Sequence, residues 1–410
     1  PLYSNSAKTQ RDAWSYNSSY DKIESVAKES IDFYNNTLKE IKEGKRTSPE
    51  FNTTKISWSD GVLDDLKKER LYNYDDAEIR EAMYRPFFMQ KILWYSPLVD
   101  RMGKLPQIFP TTSHKNLLIC IPGLGDKKDF STLITNTIPD LGMLASSQCF
   151  PLYWYEIIKP DQNSLFGDDD AQIIKHEGVT DFILERAQSK YGNKVQREDI
   201  FYYVYGLLHT KSYKETYSAD LKKMMARIPL VSDYEKFWAF SKAGRDLANL
   251  HLNYEKIESY PDAKVESIQQ GIYKIPQDKY SFNDKLMVAD SEPNFSDDQN
   301  EYDYYAVQQM KFPKKGEKGT IIYNHYHTIS NIPEKAYEYV VNGKSAIEWI
   351  MERYAITTDK KSGITNNPND WSLEHKKPRY ILDLLLSIIN VSVQTVDIVN
   401  NLPEVDWDKE

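Results

Sequence analysis

The stretch that decides the fold spans residues 198–255 and reads EDIFYYVYGLLHTKSYKETYSADLKKMMARIPLVSDYEKFWAFSKAGRDLANLHLNYE. Its first part places apolar residues at the i, i+3, i+4 spacing that predicts one buried face of a helix: Ile200, Tyr203, Val204, Leu207 and Leu208. Two S-x-x-E patterns, at residues 212–215 and 232–235, predict the starts of a second and a third helix. Because three short-linked amphipathic helices must pack on one another, we predict a central helical hub.

The third predicted helix carries two bulky aromatic residues near its start, Trp238 and Phe240. Its apolar stripe continues through Ala243, Leu247 and Leu250. Since capped helices flank this part of the hub, we predict that both aromatic side chains are largely buried.

Outside the hub, short apolar runs alternate with amphipathic stretches. Residues 21–43 predict a long helix and residues 75–83 a short one that opens with an aspartate. Residues 55–59 and 117–121 predict strands, and a long apolar helix is predicted from Pro378 onward. This mixture favours an α+β fold.

We divide the chain into four parts. Residues 1–50 form a linker helix, 51–175 a β-rich lobe, 176–260 the helical hub, and 261–410 a mixed C-terminal lobe that ends in the long helix. A chain of 410 residues is longer than one hydrophobic core usually organises, which agrees with several lobes. Because the chain begins with Pro1, we expect a fragment or a processed product.

The composition is that of a globular protein in a reducing compartment. Hydrophobic residues make up 40% and charged residues 28% of the chain. The two cysteines, Cys120 and Cys149, are too few and too far apart for a disulfide framework, so we expect a cytoplasmic protein. The apolar run at 384–396 is shorter than the roughly 20 residues that span a bilayer, so no membrane partner is expected.

The net charge of −9 argues against a nucleic-acid partner, but the charge is unevenly distributed. Residues 85–128 hold seven basic and two acidic residues, and residues 211–227 hold five basic and two acidic residues. Basic side chains contact phosphates, while Arg, Lys, Asn and Gln on loops read base edges. The candidate DNA-binding residues are Arg85, Gln90, Lys91, Arg101, Lys104, Gln107, Lys127 and Lys128 in the first segment, and Lys211 and Lys214 in the second. The alternative is a solvated surface balanced by acidic helices.

Three patterns that suggest other chemistry are incomplete. Residues 342–345 read N-G-K-S, but Glu338 stands where a P-loop needs its first glycine. Residues 118–126 resemble an oxyanion loop, but the chain has no G-x-S-x-G nucleophile motif. His325 and His327 alternate on a predicted strand without further ligands for a metal. We therefore expect no catalytic residue and no metal site.

Several longer stretches together resemble one family. They read T-Q-R-D-A-W (9–14), Y-R-P-F (84–87), F-P-L-Y-W-Y (150–155), D-I-F-Y-Y-V-Y-G-L-L-H (199–209), F-W-A-F-S-K-A-G-R (237–245) and R-Y-I-L-D-L-L-L (379–386). The chain is similar in these stretches to the C-terminal target-recognition region of type ISP restriction–modification enzymes. Those single polypeptides also carry a nuclease, a translocase motor and an adenine methyltransferase.

The resemblance implies a non-catalytic domain that recognises double-stranded DNA through the β-rich lobe. It would position the methyltransferase domain of the same polypeptide and gate translocation and cleavage by other domains. The chain has no D/N-P-P-Y/F loop of an adenine methyltransferase, so S-adenosylmethionine, ATP and Mg²⁺ are expected only in those other domains. The alternative is an interaction scaffold that docks domains without reading bases. A free-standing enzyme is a third alternative, for which the chain supplies no catalytic constellation.

Overall fold

The computed structural model describes residues 3–158, 172–267 and 298–405, which form the mixed α+β fold that the sequence predicts. The helices are α1 (Asp12–Ser15), α2 (Tyr20–Lys42), α3 (Asp60–Lys67), α4 (Leu105–Ile108), α5 (Asp181–Tyr191), α6 (Arg197–His209), α7 (Lys211–Thr216), α8 (Ser218–Leu221), α9 (Tyr234–Leu252), α10 (Asp298–Tyr305), α11 (Ala346–Arg353), α12 (Asn369–Glu374) and α13 (Tyr380–Asn400). The strands are β1 (Ser4–Asn5), β2 (Tyr16–Asn17), β3 (Glu78–Arg85), β4 (Phe88–Trp94), β5 (Leu118–Ile121), β6 (Leu133–Thr135), β7 (Ile138–Pro139), β8 (Gln148–Pro151), β9 (Tyr153–Ile158), β10 (Gln172–Glu177), β11 (Lys264–Ser267), β12 (Ile321–Ile322), β13 (His327–Ser330), β14 (Val340–Val341), β15 (Lys344–Ser345), β16 (Thr357–Thr358) and β17 (Thr365–Asn366).

The hub is built on the crossing of α6 and α9. A methyl group at Gly206 would overlap the carbonyl oxygen of Phe240, and one at Gly244 would overlap the carbonyl oxygen of Tyr202. The two backbones therefore touch, which only residues without a side chain permit. The predicted stripe on α6 is buried except for Val204, which is half-buried.

The hub packs against a four-stranded antiparallel sheet with the order β1-β8-β5-β6. The hydroxyl of Tyr205 on α6 accepts a hydrogen bond from the backbone amide of Ile134 on β6 at 3.1 Å. At the centre of the sheet, Cys120 is directly opposite Cys149, and both thiols are free and buried. Helix and sheet thus share one apolar core.

A second sheet has the order β2-β4-β3-β7 and carries α2 on one side. The core under α2 is a separate cluster that includes Ile31, Tyr34 and Leu38. A larger cluster joins the first residues of the chain to the C-terminal lobe, from Ala7 to Val396. The four-part division of the chain stays a prediction.

The C-terminal lobe is organised by α13. Among the helices in the described part of the chain, only α13 is long and apolar enough to cross a membrane, and 67% of its most apolar stretch is buried inside the fold. Residues such as Leu385, Ile388 and Ile389 are fully buried against the rest of the lobe. Core packing therefore accounts for its hydrophobicity.

Several local predictions are wrong. The predicted helix at 75–83 is a 3₁₀ turn followed by β3, and residues 55–59 form no strand. The alternating burial of β3 was obscured because its buried positions include Arg80 as well as Ala82. From the sequence alone, an arginine in a strand is assigned to the surface, because its buried hydrogen-bond partners are not visible there.

The predicted helix starts in the hub also shift. The helix predicted at Ser212 begins at Lys211, and the next one is capped by Asp233, whose side chain accepts hydrogen bonds from the amides of Glu235 and Lys236. Phe240 is buried as predicted, but Trp238 is only half-buried. Phe237, one residue earlier, takes the core position instead.

Candidate nucleic-acid interface

The side chain of Arg85 is bound to other residues inside the fold. Its guanidinium donates to Asp140 at 2.5 Å and to the carbonyl of Tyr84 at 2.6 Å, and it lies 3.5 Å from Asp12. Burial raises the pKa of Asp140 to about 6, although Arg85 acts to lower it. This candidate DNA-binding residue thus joins the N-terminal segment to the second sheet.

Gln90 and Lys91 are also engaged inside the fold. Gln90 is buried and donates to the hydroxyl of Ser18 at 3.0 Å. Lys91 donates to Glu81 at 2.5 Å, and its side chain is only 15% exposed. Both residues lie on β4, so the strand places them in the sheet and not on a projecting loop.

Arg101, Lys104 and Gln107 are exposed beside the N-terminal strand. The backbone of Arg101 pairs with that of Lys8, and the amide of Lys104 donates to Ser4 at 2.9 Å. The side chains of the three predicted residues form no hydrogen bond or ion pair with any residue that the structure describes. They remain available to a partner.

Lys127 and Lys128 lie on the turn 122–128 that follows β5. The turn is held at two amides: Gly123 donates to Ala145 at 3.1 Å, and Gly125 donates to the carbonyl of Lys222 at 2.9 Å. Gly125 has a φ of +83°, which suits glycine. The turn is therefore fixed in place and attached to a second loop.

The two lysines on this turn differ in their contacts. The ammonium of Lys128 donates to Asn342 at 2.9 Å, at the tip of the β14–β15 hairpin. Asn342 and Gly343, which begin the incomplete P-loop pattern, form this hairpin turn with φ of 51° and 80°. Lys127 is exposed and makes no ion pair within residues 3–158, 172–267 and 298–405.

The second loop, residues 221–227, starts at the last residue of α8. It is held in place by hydrogen bonds to its last residue and to the residues that follow it, up to Val231. The hydroxyl of Tyr213 donates to the carbonyl of Arg227 at 2.9 Å, and that of Tyr203 donates to Pro229 at 2.7 Å. The hydroxyl of Tyr191 donates to the carbonyl of Val231. Burial raises the pKa of Tyr213 to about 12 and also raises that of Tyr203, so these donors keep their protons.

Turn 122–128 and loop 221–227 together form a surface that we call the basic junction. It contains five basic residues and one acidic residue, Asp126: Lys127, Lys128, Lys222, Lys223 and Arg227. All five basic residues are exposed, and within the described part of the chain only the side chain of Lys128 forms a hydrogen bond or ion pair. Two segments about a hundred positions apart in the sequence thus become one positively charged surface.

The other two candidates of the second segment lie outside this surface. Lys211 donates to Asn400 at 2.8 Å, next to the end of α13. Burial lowers the pKa of Lys214 to about 8, with a further contribution from Lys211. Sequence reasoning counted Lys222, Lys223 and Arg227 as part of a basic stretch but did not select them. The adjacent lysines at 222 and 223 were the available signal.

The chain that follows β1 leaves the first sheet at the same end as the basic junction. Asn5 on β1 is in register with Gln148, which is in register with Ile121 at the end of β5. The chain then continues to Lys8, which pairs with Arg101. The backbone that leads from β1 to Lys8 therefore leaves the first sheet at the end where turn 122–128 begins.

A cleft of about 500 Å³ opens at the opposite end of this sheet. Its rim carries Lys91, Lys115 and Lys256, and Phe109 and Tyr254 contribute aromatic walls. Thr135, which also lines it, pairs with Leu118 at the start of β5, so the length of that strand separates the cleft from the basic junction.

The predicted histidine pair does not share a strand. β13 begins at His327, whose imidazole is buried and lies 2.8 Å from the hydroxyl of Ser267. Burial lowers the pKa of His327 to about 4. No group of three or more His, Cys, Asp or Glu side chains suited to a metal ion occurs among the described residues.

A mixed fold that joins two exposed basic loops by a backbone hydrogen bond suits a domain that contacts nucleic acid. The chain belongs to a family of such domains, because the model of the type ISP C-terminal specificity domain matches residues 1–384. The resemblance noted in the sequence is thereby confirmed.

Solved structures support the same assignment. The ATP-dependent type ISP restriction–modification enzyme LlaBIII bound to DNA is 36% identical, with a TM-score of 0.79 over 98% of this chain and 23% of that chain. A nuclease-deletion mutant of the type ISP enzyme LlaGI in complex with a DNA substrate mimic is 33% identical, with a TM-score of 0.79 over 100% of this chain and 33% of that chain. The DrdV–DNA complex is 26% identical, with a TM-score of 0.76 over 99% of this chain and 36% of that chain. No curated protein matches the chain.

Proposed function

We propose that this chain binds duplex DNA and selects a target sequence, as the specificity domain of a type ISP-like restriction–modification polypeptide. In that role it positions an adenine methyltransferase domain and gates translocation and cleavage by other domains. The chain spans 23% to 36% of the matched DNA-bound chains, so we assign those catalytic activities to the remainder of such a polypeptide. Its free, buried cysteines suit the cytoplasm.

The observation that carries the proposal is the backbone hydrogen bond from Gly125 to Lys222. This bond fixes Lys127 beside Lys222 and Lys223, and none of the three is neutralised by a described carboxylate. Each contact between such a side chain and a phosphate releases counterions, so it supplies affinity that depends on salt. A net charge of −9 keeps the rest of the surface unattractive to DNA, which restricts binding to this end.

The salt dependence of DNA binding tests the proposal. The variant Lys222→Gln/Lys223→Gln is expected to reduce the slope of log affinity against log salt by about 1.8, because each lost phosphate contact removes about 0.9. Binding of randomised 30-base-pair duplexes is measured by fluorescence anisotropy across a salt series. Lys67→Gln/Lys68→Gln is the matched control, since it neutralises another exposed lysine pair at the end of α3.

Equal slopes for the two double variants would place the DNA surface elsewhere, with Arg101, Lys104 and Gln107 as the next residues to replace. On the first turn, Lys127→Gln is expected to lower the slope more than Lys128→Gln, because Asn342 already holds the ammonium of Lys128.

We also expect the isolated chain to bind neither ATP nor S-adenosylmethionine. The N-G-K-S segment forms a hairpin turn in place of a phosphate-binding loop, and the sequence lacks the adenine methyltransferase motif. Isothermal titration calorimetry at micromolar concentrations checks this expectation. A micromolar affinity for either compound would contradict it.

One observation favours the scaffold as a second candidate. The ribbon formed by β9 and β10 exposes Ile157, Ile158 and Ile174, each more than 40% accessible. Exposed apolar residues on a two-stranded ribbon suit a protein partner. A chain that bound no duplex DNA, and that lost association with a methyltransferase domain after Ile158→Lys, would favour this candidate.

A further inference from the structure

We propose that the basic junction reads thymine methyl groups in the major groove through Leu124 and Met224. The inference rests on the proposed function, because it names which residues of that surface determine the sequence preference. It begins from two apolar side chains that the fold exposes among cations. Leu124 is 53% exposed on turn 122–128, and Met224 is 39% exposed on loop 221–227.

The backbone of the turn is fixed on both sides of Leu124, which keeps this side chain at the surface. The glycines on either side of it are fixed by their amides, Gly123 to Ala145 and Gly125 to Lys222. Gly123 also lies so close to Ser146 that an added Cβ would come within 2.6 Å of its carbonyl oxygen. An apolar side chain held in water by a fixed backbone gains free energy when a partner covers it.

The width of the junction indicates which groove it enters. Turn 122–128 and loop 221–227 are joined by one backbone hydrogen bond, so their backbones lie about 4.8 Å apart at Gly125 and Lys222. The major groove is about 12 Å wide and admits two adjacent segments at this spacing, whereas the minor groove is only about 6 Å wide. Lys127 on one segment and Lys222 and Lys223 on the other then flank the two apolar tips and reach the phosphates on either wall.

The chemistry of the tips indicates which base they contact. A leucine side chain neither donates nor accepts a hydrogen bond, and a thioether is only a weak acceptor. The C5-methyl group of thymine is the apolar group among the base edges of the major groove. Leu124 and Met224 therefore contact thymine methyl groups, while the lysines supply affinity without regard to sequence.

Replacement of thymine by deoxyuridine tests the inference, since it removes only the methyl group. The wild-type chain first selects duplexes from a randomised 30-base-pair pool, and the best binder is then resynthesised with deoxyuridine at each thymine in turn. We expect at least one position where the replacement weakens wild-type binding about fourfold, which corresponds to burial of one methyl-sized group. Leu124→Ala or Met224→Ala should lose that sensitivity and keep the salt slope of the wild type.

Leu373→Ala, at a leucine of α12 that is 44% exposed, is the matched control and should keep the deoxyuridine sensitivity. A selected duplex with no sensitive thymine would overturn the inference and leave the proposed function intact. The same holds if both junction variants keep the wild-type sensitivity. If the wild-type chain enriches no sequence, the proposed function fails, and this inference fails with it.

Discussion

Replacing Gly244 with alanine is expected to destabilise the fold by about 3 kcal/mol, at the upper end of the usual cost of overpacking. Helix propensity alone would favour alanine by about 1 kcal/mol, so the expected loss comes entirely from the helix crossing. The new methyl group would meet the carbonyl oxygen of Tyr202 and lie 2.9 Å from the amide nitrogen of Gly206. Neither is the flexible end of a side chain, so α6 and α9 must separate.

Urea unfolding at neutral pH measures this effect. Gly61→Ala is the matched control, because Gly61 lies in α3, where an added Cβ would meet only the Ser59 hydroxyl at 3.9 Å. That variant is expected to be neutral or stabilised by about 0.5–1 kcal/mol. Equal stability of Gly244→Ala and wild type would show that the helices do not touch at this crossing.

Acidification from pH 7 to pH 5 is expected to cost about 2 kcal/mol of stability at each buried histidine whose pKa is lowered, namely His209, His251 and His327. His251 lies 2.6 Å from the Tyr205 hydroxyl and 3.0 Å from that of Thr395. His209 lies 2.8 Å from the carbonyl of Tyr205. Burial lowers the pKa of His209 to about 3, with a smaller effect of Lys214, and lowers that of His251 well below its ordinary value.

The sign follows from these lowered pKa values. Above an unfolded pKa of about 6.5, both states are neutral and stability is unaffected. As pH falls below that value, the unfolded chain gains protons that the folded histidines do not, so stability is lost until the folded pKa is reached. At pH 5 this difference spans about 1.5 pH units for each histidine.

The contribution of a single histidine to this loss of stability is measured with a variant that lacks it. His209→Asn keeps a donor near the Tyr205 carbonyl and removes the titrating group, so its loss between pH 7 and pH 5 should be about 2 kcal/mol smaller than that of wild type. Asp140, whose pKa burial raises to about 6, acts in the opposite direction, but it acts equally in both proteins. Identical losses in the two proteins would contradict the assignment of His209.

Much of the hub could be predicted from the sequence because its signals are local. The apolar spacing on α6 and the buried Phe240 follow from helical periodicity. The contact between Gly206 and Gly244 could not be predicted in this way. The residues around a helical glycine do not indicate which other helix packs against it. For the same reason β3 was misread: its buried Arg80 is satisfied by the carbonyls of Phe109 and Pro110, about thirty residues away.

The candidate surface could be predicted only in part. Charge counting found both basic segments, but it treated Arg85 and Lys127 as equivalent. The structure separates them, because Arg85 is paired with Asp140 and Lys127 is exposed. The hydrogen bond between Gly125 and Lys222 joins two backbone groups, so it could not be predicted from the pattern of side chains in the sequence.

The tyrosine hydroxyls that hold residues 227–231 contact only main-chain groups, namely the carbonyls of Arg227, Pro229 and Val231 and the amide of Val231. These hydrogen bonds do not depend on the identity of the side chains in the loop. The exposed residues Lys222, Lys223 and Met224, together with Leu124 on the adjoining turn, can therefore be exchanged without loss of these hydrogen bonds. If Leu124 and Met224 set the target preference as we propose, a few substitutions at these tips suffice to change it, and we expect a library of variants at these positions to retain the fold of the parent.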